Sequence, residues 1–238
     1  MKERKIAVLG LGYVGLPLAV GLSSSFKIIG FDISLDRVSQ LLKGIDQTLE
    51  VKKEKIQRSL KKNLTITNNQ NDLSDCNIYI ATVPTPITKM HKPDFAPLRN
   101  VCKILAKILK KNDIIIFEST VYPGATEEMC VPVLEKNRKS LKCGIDFFIG
   151  YSPERVNPGD KVHSIDKIDK VVSGQNKKVE KILVQIYSKL TKGKIFLAKS
   201  IKVAEASKVI ENSQRDINIA FINEVAKICN KLDISVYD

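Results

Sequence analysis

Short apolar runs alternate with longer amphipathic segments along most of this chain, as they do in β–α–β units whose strands are covered on both faces. The runs predict strands at Lys5 to Gly10, Lys27 to Ile33, Leu64 to Thr67, Asn77 to Val83, Asp113 to Glu118, Phe147 to Tyr151, Lys170 to Ser173 and Ile195 to Ala198. Between them, Gly12 to Ser23, Leu35 to Lys43, Pro97 to Leu109, Gly124 to Asn137 and Lys177 to Leu190 predict helices, several of them opening at turn or capping residues. The expected fold class is α/β, a doubly wound and mostly parallel sheet. From Ile201 to Lys231 the pattern changes, because Val203, Ile210, Ile217, Phe221, Val225 and Ile228 recur three, four or seven residues apart. That spacing predicts a helix longer than the usual globular one, which leaves a first domain, residues 1–200, and begins a second, residues 201–238.

Composition adds little to this picture except through charge. With 238 residues, 43% hydrophobic and 27% charged, the chain is ordinary for a globular protein and long enough to bury a core. Its 39 basic residues outnumber 26 acidic ones, for a net charge of +13. Thirty-two of them are lysines, spread along the chain without interleaved aromatics or a nucleic-acid motif. A solvated lysine surface, or a positive field that steers an anionic nucleotide, accounts for this better than nucleic-acid binding. The five cysteines form no CxxC pair and no metal-type spacing, and their odd number argues against a disulfide framework, so a reducing cytoplasm is the expected location. The basic start Met1 to Lys5 followed by uncharged Ile6 to Leu22 imitates a signal peptide, but glycines at 10, 12 and 15 and Pro17 interrupt that run. Neither export nor membrane insertion is expected.

Those glycines have their own explanation. Ile6-Ala-Val-Leu-Gly10-Leu-Gly12-Tyr-Val-Gly15 is a strand running through Gly-x-Gly-x-x-Gly into a helix, the form of a Rossmann-type dinucleotide site. The glycines permit a tight turn, close backbone approach to a pyrophosphate and close helix packing, with the phosphates facing the helix N-terminus. Asp32 ends the next strand, where a carboxylate accepts both hydroxyls of an adenosine ribose and repels a 2′-phosphate, which favours NAD over NADP. Arg37, five residues on, leaves two readings open: a solvated helix residue, or an arginine that pairs with a 2′-phosphate.

Three further segments stand at expected carboxyl ends of strands, where open α/β sheets bind ligands: Ala81-Thr-Val-Pro-Thr-Pro86, Glu118-Ser-Thr-Val-Tyr-Pro-Gly124 and Tyr151-Ser-Pro-Glu-Arg-Val-Asn-Pro-Gly159. On the long helix Lys208 and Asn212 lie four residues apart on one face, with Glu205 a turn earlier, so an ammonium and an amide could together stabilise an oxyanion.

Taken in order, Gly10 to Gly15, Val83-Pro-Thr-Pro86, Ser119-Thr-Val-Tyr-Pro-Gly124, Ser152-Pro-Glu154 and Ala204-Glu-Ala-Ser-Lys208-Val-Ile-Glu-Asn212 resemble the UDP-glucose/GDP-mannose dehydrogenase family. Its members use NAD to oxidise the C6 hydroxyl of a nucleotide sugar to a carboxylate. The variants around Glu118 and Tyr151 are most similar to the branch acting on UDP-N-acetylhexosamines for surface-polysaccharide synthesis. The resemblance implies that Gly10, Gly12, Tyr13, Val14 and Gly15 form the pyrophosphate loop and that Asp32 holds the adenosine ribose. It also implies that Arg37 lies by the adenosine half and that Val83, Pro84 and Thr85 pass along the cofactor. By the same resemblance Thr120 places the catalytic water beside the cofactor, Glu154 is the general base, and Lys208 with Asn212 stabilises oxygen anions. A second glutamate of the UDP-glucose enzymes is replaced here by Pro158, which argues against UDP-glucose as substrate.

The family reaction needs a cysteine thiolate to capture the aldehyde after the first hydride transfer, a second hydride transfer to give a thioester, and hydrolysis assisted by the base. The family's cysteine follows two glycines, well beyond the lysine helix. Cys229 and Asp233 copy part of its spacing but lack the glycines, and Cys229 reads as a buried helix residue. The resemblance therefore implies an N-terminal NAD-binding domain and the start of a central dimerisation domain, with the nucleophile and sugar-nucleotide domain outside this chain, and a homodimer when complete. A β-hydroxyacid dehydrogenase, in which Lys208 alone is the acid and base, and a non-catalytic NAD-binding module are the competing readings.

Overall fold

A computed structural model describes residues 4–155 and 165–237. Among them, eight strands form one sheet in the order β3-β2-β1-β4-β5-β6-β7-β8. These are β1 (Lys5–Leu9), β2 (Lys27–Phe31), β3 (Leu64–Thr67), β4 (Ile78–Ala81), β5 (Ile114–Phe117), β6 (Phe148–Tyr151), β7 (Lys170–Gly174) and β8 (Ile195–Leu197). The first six are parallel, and the order reverses between β1 and β4, the switch point at which such sheets bind ligands. Strand β7 runs antiparallel to β6, and β8 parallel to β7. The mostly parallel sheet expected from the apolar alternation is thus observed, but the alternation carries no sign of which strand runs the other way.

Helices α1 (Gly15–Leu22), α2 (Leu35–Leu42), α3 (Lys53–Leu60) and α6 (Lys177–Tyr187) share a core with Ile6, Val8, Ile28, Ile80 and Ile116 on one face of the sheet. On the other face α4 (Ala96–Ile108), α5 (Val131–Asn137) and the first turn of α7 (Ile201–Lys231) pack on Ala7, Leu9, Phe31, Tyr79, Phe117 and Tyr151. Odd and even positions of β1 thus feed different cores, and Ile6 to Leu9 are fully buried, as a two-sided strand requires. Ser34, Asn176 and Ser200 cap α2, α6 and α7 by accepting a backbone N–H.

Local expectations fail in four places. Lys53–Leu60, polar except at Ile56 and Leu60, forms α3 because those residues reach the core. The expected helix from Gly124 opens instead as a π-turn, Thr126–Cys130, before α5. Strand β8 is half-exposed at Phe196 and Leu197, since it lies at the sheet edge. Cys229 is half-exposed and not buried, because α7 leaves the sheet after its first turns. Among the described residues no helix is long and apolar enough to cross a membrane.

Candidate active site

The carboxyl ends of β1, β2, β4, β5 and β6 open into one cleft of about 560 Å³. Gly10, Gly12, Tyr13, Val14, Asp32, Val83, Pro84, Thr85, Thr120 and Glu154, all singled out by sequence, line it together. The loop after β1 is shaped by close approach. Gly10 takes φ +95°, open to glycine at little cost, and a Cβ on Gly15 would stand 1.8 Å from the Gly10 carbonyl oxygen. A Cβ on Gly12 meets nothing within 4 Å, so the cleft at that point is free space for a ligand. Gly15 does not line the cleft; it lets α1 pack against the loop.

Asp32 and Arg37 hold the residue between the first two glycines from both sides. The Leu11 N–H donates to Asp32 Oδ2 at 2.9 Å, and Arg37 Nε donates to the Leu11 carbonyl at 2.9 Å. Asp32 Oδ1 accepts from Ser34 N–H at 2.9 Å, and each carboxylate oxygen keeps a lone pair for a ribose hydroxyl. Arg37 is not a solvated helix residue, since its guanidinium is nearly buried and paired with Asp46 at 2.8 Å. Burial alone would raise the Asp46 carboxyl, but hydrogen bonds from Thr48, Val51 and Arg37 outweigh it and hold it below the usual carboxylate range. Asp46 was missed because its only sequence signal is an Asp in a polar turn. Thr82 was missed too: it donates to the Gly10 carbonyl at 2.7 Å and ties β4 to the loop.

The loops after β4 and β5 are laced together. Ser119 Oγ donates to the Val83 carbonyl at 2.6 Å, Thr85 Oγ1 to the Thr120 carbonyl at 2.9 Å, and Tyr151 Oη to the Ser119 carbonyl at 3.1 Å. Thr120 itself is exposed to the cleft. Glu205, grouped by spacing with Lys208 and Asn212, turns the other way: fully buried, it accepts from the backbone N–H groups of Gly124 and Thr126 and fixes the π-turn.

Beneath the cleft lies a cluster of charges whose buried cation, Lys170, has no signal in the sequence. Lys170 of β7 is fully buried, with Nζ 2.9 Å from Glu118 Oε2 and 3.5 Å from Glu154 Oε2. Tyr187 of α6 donates its hydroxyl to Glu118 Oε1, and Lys170 Nζ lies 5.2 Å from the centre of its ring. Burial opposes the Lys170 charge, but the two carboxylates outweigh it and hold the ammonium above its ordinary range. Glu118 is pushed up, first by burial and then by Glu154, against the pull of Lys170. Lys208 is half-buried, and burial lowers its ammonium while Glu211 and Glu154 oppose this and Arg215 and Arg155 add to it. Glu211 pairs with Arg155 at 3.4 Å, which ties the Glu154 loop to α7, and with Arg215 of its own helix at 3.0 Å. Lys208 and Asn212 do not line the cleft, and Asn212 is exposed on α7. Cys229 lies on the same helix about 30 Å beyond Lys208, given 1.5 Å per residue. Pro158 lies outside the described residues.

Comparison with known proteins decides the family. Residues 4–191 match the NAD binding domain of the UDP-glucose/GDP-mannose dehydrogenase family, and residues 202–238 match its central domain. The chain belongs to that family. Its cofactor is NAD, and the open space at Gly12 with the free lone pairs of Asp32 fits this dinucleotide. Among curated relatives, Protein CapL of Staphylococcus aureus is 52% identical over 98% of this chain and 54% of its own length. UDP-N-acetyl-D-glucosamine 6-dehydrogenase of Pseudomonas aeruginosa is 51% identical over 98% of this chain and 55% of its own. The solved UDP-D-ManNAc dehydrogenase of Pyrococcus horikoshii superposes with a TM-score of 0.91 at 31% identity, covering 98% of this chain and 56% of that one. The chain spans about half the length of the family members it matches.

Proposed function

We propose that this chain supplies the NAD-binding domain, residues 1–200, and the start of the central domain, residues 201–238, of a UDP-N-acetylhexosamine 6-dehydrogenase serving surface-polysaccharide synthesis. The observation that carries this reading is that Thr120 and Glu154 line the same cleft as the glycine loop and Asp32, so a base and a polar hydroxyl face the cofactor site. The names of the curated relatives point to N-acetylated UDP-sugars, and Pro158 stands where the UDP-glucose enzymes are expected to carry a second glutamate.

In this reading Gly10 to Val14 lie along the pyrophosphate, Asp32 accepts the adenosine ribose hydroxyls, and Val83 to Thr85 flank the rest of the dinucleotide. NAD, when bound, would accept a hydride from C6 at each of the two oxidation steps, alcohol to aldehyde and captured aldehyde to acyl. Glu154 takes a proton from the water that hydrolyses the acyl intermediate, with Thr120 orienting that water. Lys208 and Asn212 stabilise negative charge on the substrate oxygen. They reach it from outside the present cleft, and the Arg155 pair with Glu211 holds that helix near Glu154. Exposed Ile210, Ile217, Phe221 and Ile222 on α7 make a second copy of the protein the expected partner. The free thiols fit a cytoplasmic location.

The test extends the chain by the C-terminal portion its relatives carry and follows NADH absorbance with UDP-GlcNAc, UDP-GalNAc and UDP-glucose. We expect kcat/KM for at least one N-acetylated sugar to exceed that for UDP-glucose. A UDP-glucose value equal to or above both would overturn the substrate assignment.

A further inference from the structure

We propose that Lys170 is a positioning residue for Glu154: its ammonium, shared between Glu118 and Glu154 under the cleft, keeps the Glu154 carboxylate ionised and in place. The inference deepens the reading of Glu154 as the base and rests on it for its functional meaning.

Three observations carry it. Lys170 is fully buried, yet both of its close partners, Glu118 at 2.9 Å and Glu154 at 3.5 Å, line the cleft. The ammonium thus sits behind the wall of the site, where it meets the cleft through those two carboxylates. A buried lysine is costly without paired and hydrogen-bonded partners, and a hydrophobic side chain at the head of an apolar strand would serve packing at least as well. Finally, the arrangement depends on β7 running antiparallel to β6, which sets Lys170 against the strand that leads into Glu154. Two carboxylates so close in a dry environment would otherwise share a proton.

Several charged and titratable groups of the described residues surround Glu154. Lys170 faces it from β7, Glu118 from the end of β5, and Tyr187 of α6 reaches it through Glu118. Lys208 lies on the α7 side with Glu211 and Arg215, and Arg155 follows in sequence. Of these, Lys170 is the buried cation in direct ionic contact with the Glu154 carboxylate. Removing it leaves that carboxylate facing Glu118 with the attraction gone, so the acid form gains. Removing the charge of Glu118 leaves the ammonium to Glu154 alone and takes away a like charge, so the acid form loses. Opposite shifts from two neighbours in one network are the mark of an electrostatic role, since a merely structural defect has no reason to change sign.

The experiment uses the 238-residue chain labelled with 13C at glutamate side-chain carboxyl carbons, the Glu154 resonance being assigned by its loss in Glu154→Gln. Carboxyl shifts are followed against pH in the parent, Lys170→Met and Glu118→Gln proteins. We expect the Glu154 midpoint to rise by about 1 pH unit or more in Lys170→Met and to fall in Glu118→Gln. If Lys170→Met does not fold, the neutral and nearly isosteric Glu118→Gln decides alone. An unmoved or raised midpoint in Glu118→Gln, or an unmoved midpoint in folded Lys170→Met, overturns the proposal. The titration needs neither substrate nor turnover, so its failure leaves the assignment of Glu154 as base standing. That assignment fails separately if Glu154→Gln keeps full activity.

Discussion

At β1 and β2 the cleft is walled by the glycine turn, where Gly10 and Gly12 have only main chain to offer, and Asp32 and Arg37 hold Leu11 through its N–H and its carbonyl. At β5, β6 and β7 the wall is made by side chains, with Glu118 and Glu154 backed by buried Lys170. Apart from the Asp32 carboxylate, the first half presents fixed dipoles, which cost nothing to leave neutral when no ligand is present. The second half carries real charges in a dry place, where each must be balanced by another. The backbone side therefore has one facing charge to lose, Asp32, and no room for a Cβ at Gly15. The other tolerates volume poorly and unbalanced charge worse.

Each side can be disturbed alone, and the effects should rank accordingly. The largest is expected at Glu154. In the chain extended by the C-terminal portion of its relatives, Glu154→Gln should lower kcat by about 10²- to 10⁴-fold, as loss of a general base does, with the NAD Kd of the chain within about twofold of the parent. A comparable loss of NAD affinity would show that the two halves of the cleft are not separable.

Next comes stability. Lys170→Met leaves two carboxyls facing each other without a cation and should cost about 3–5 kcal/mol by urea unfolding. A loss below about 1 kcal/mol would mean that the cluster is wetter than its burial implies.

On the backbone side, Asp32→Ala removes the acceptor that holds Leu11 and faces the ribose. Calorimetric titration should show NAD binding about 10- to 100-fold weaker, as expected for lost hydrogen bonds to a charged group, and the preference over NADP reduced. Parent affinities equal for NAD and NADP would remove Asp32 as the selector. Arg37, already paired with Asp46, would then be the group to examine.

The smallest effect concerns pH. The lowered native pKa of Asp46 means that its stabilising contribution is complete above the ordinary carboxylate range and is lost as pH falls through the native value. Asp46→Asn should therefore flatten the acid limb of the stability curve while changing NAD affinity little. An unchanged acid limb would place the acid sensitivity elsewhere.

Much of this molecule is legible in the order of its residues. The eight strands, the long helix from Ile201 to Lys231 and the cleft residues from Gly10 to Glu154 follow from periodicity and contiguous motifs. Those signals are local. A glycine turn or an apolar strand is dictated by its own few residues, so the order of residues is enough to write it down. What stayed hidden joins residues far apart in the chain. Glu118 meets Lys170 across 52 positions and Tyr187 across 69, and Arg37 is taken from solvent by Asp46. Glu205 shares a helix face with Lys208 by spacing, yet packing sends it to Gly124 and Thr126. No periodicity encodes such partners, because a buried charge is stabilised by whichever opposite charge the topology brings within a few ångströms, and that is settled only when β7 turns antiparallel against β6.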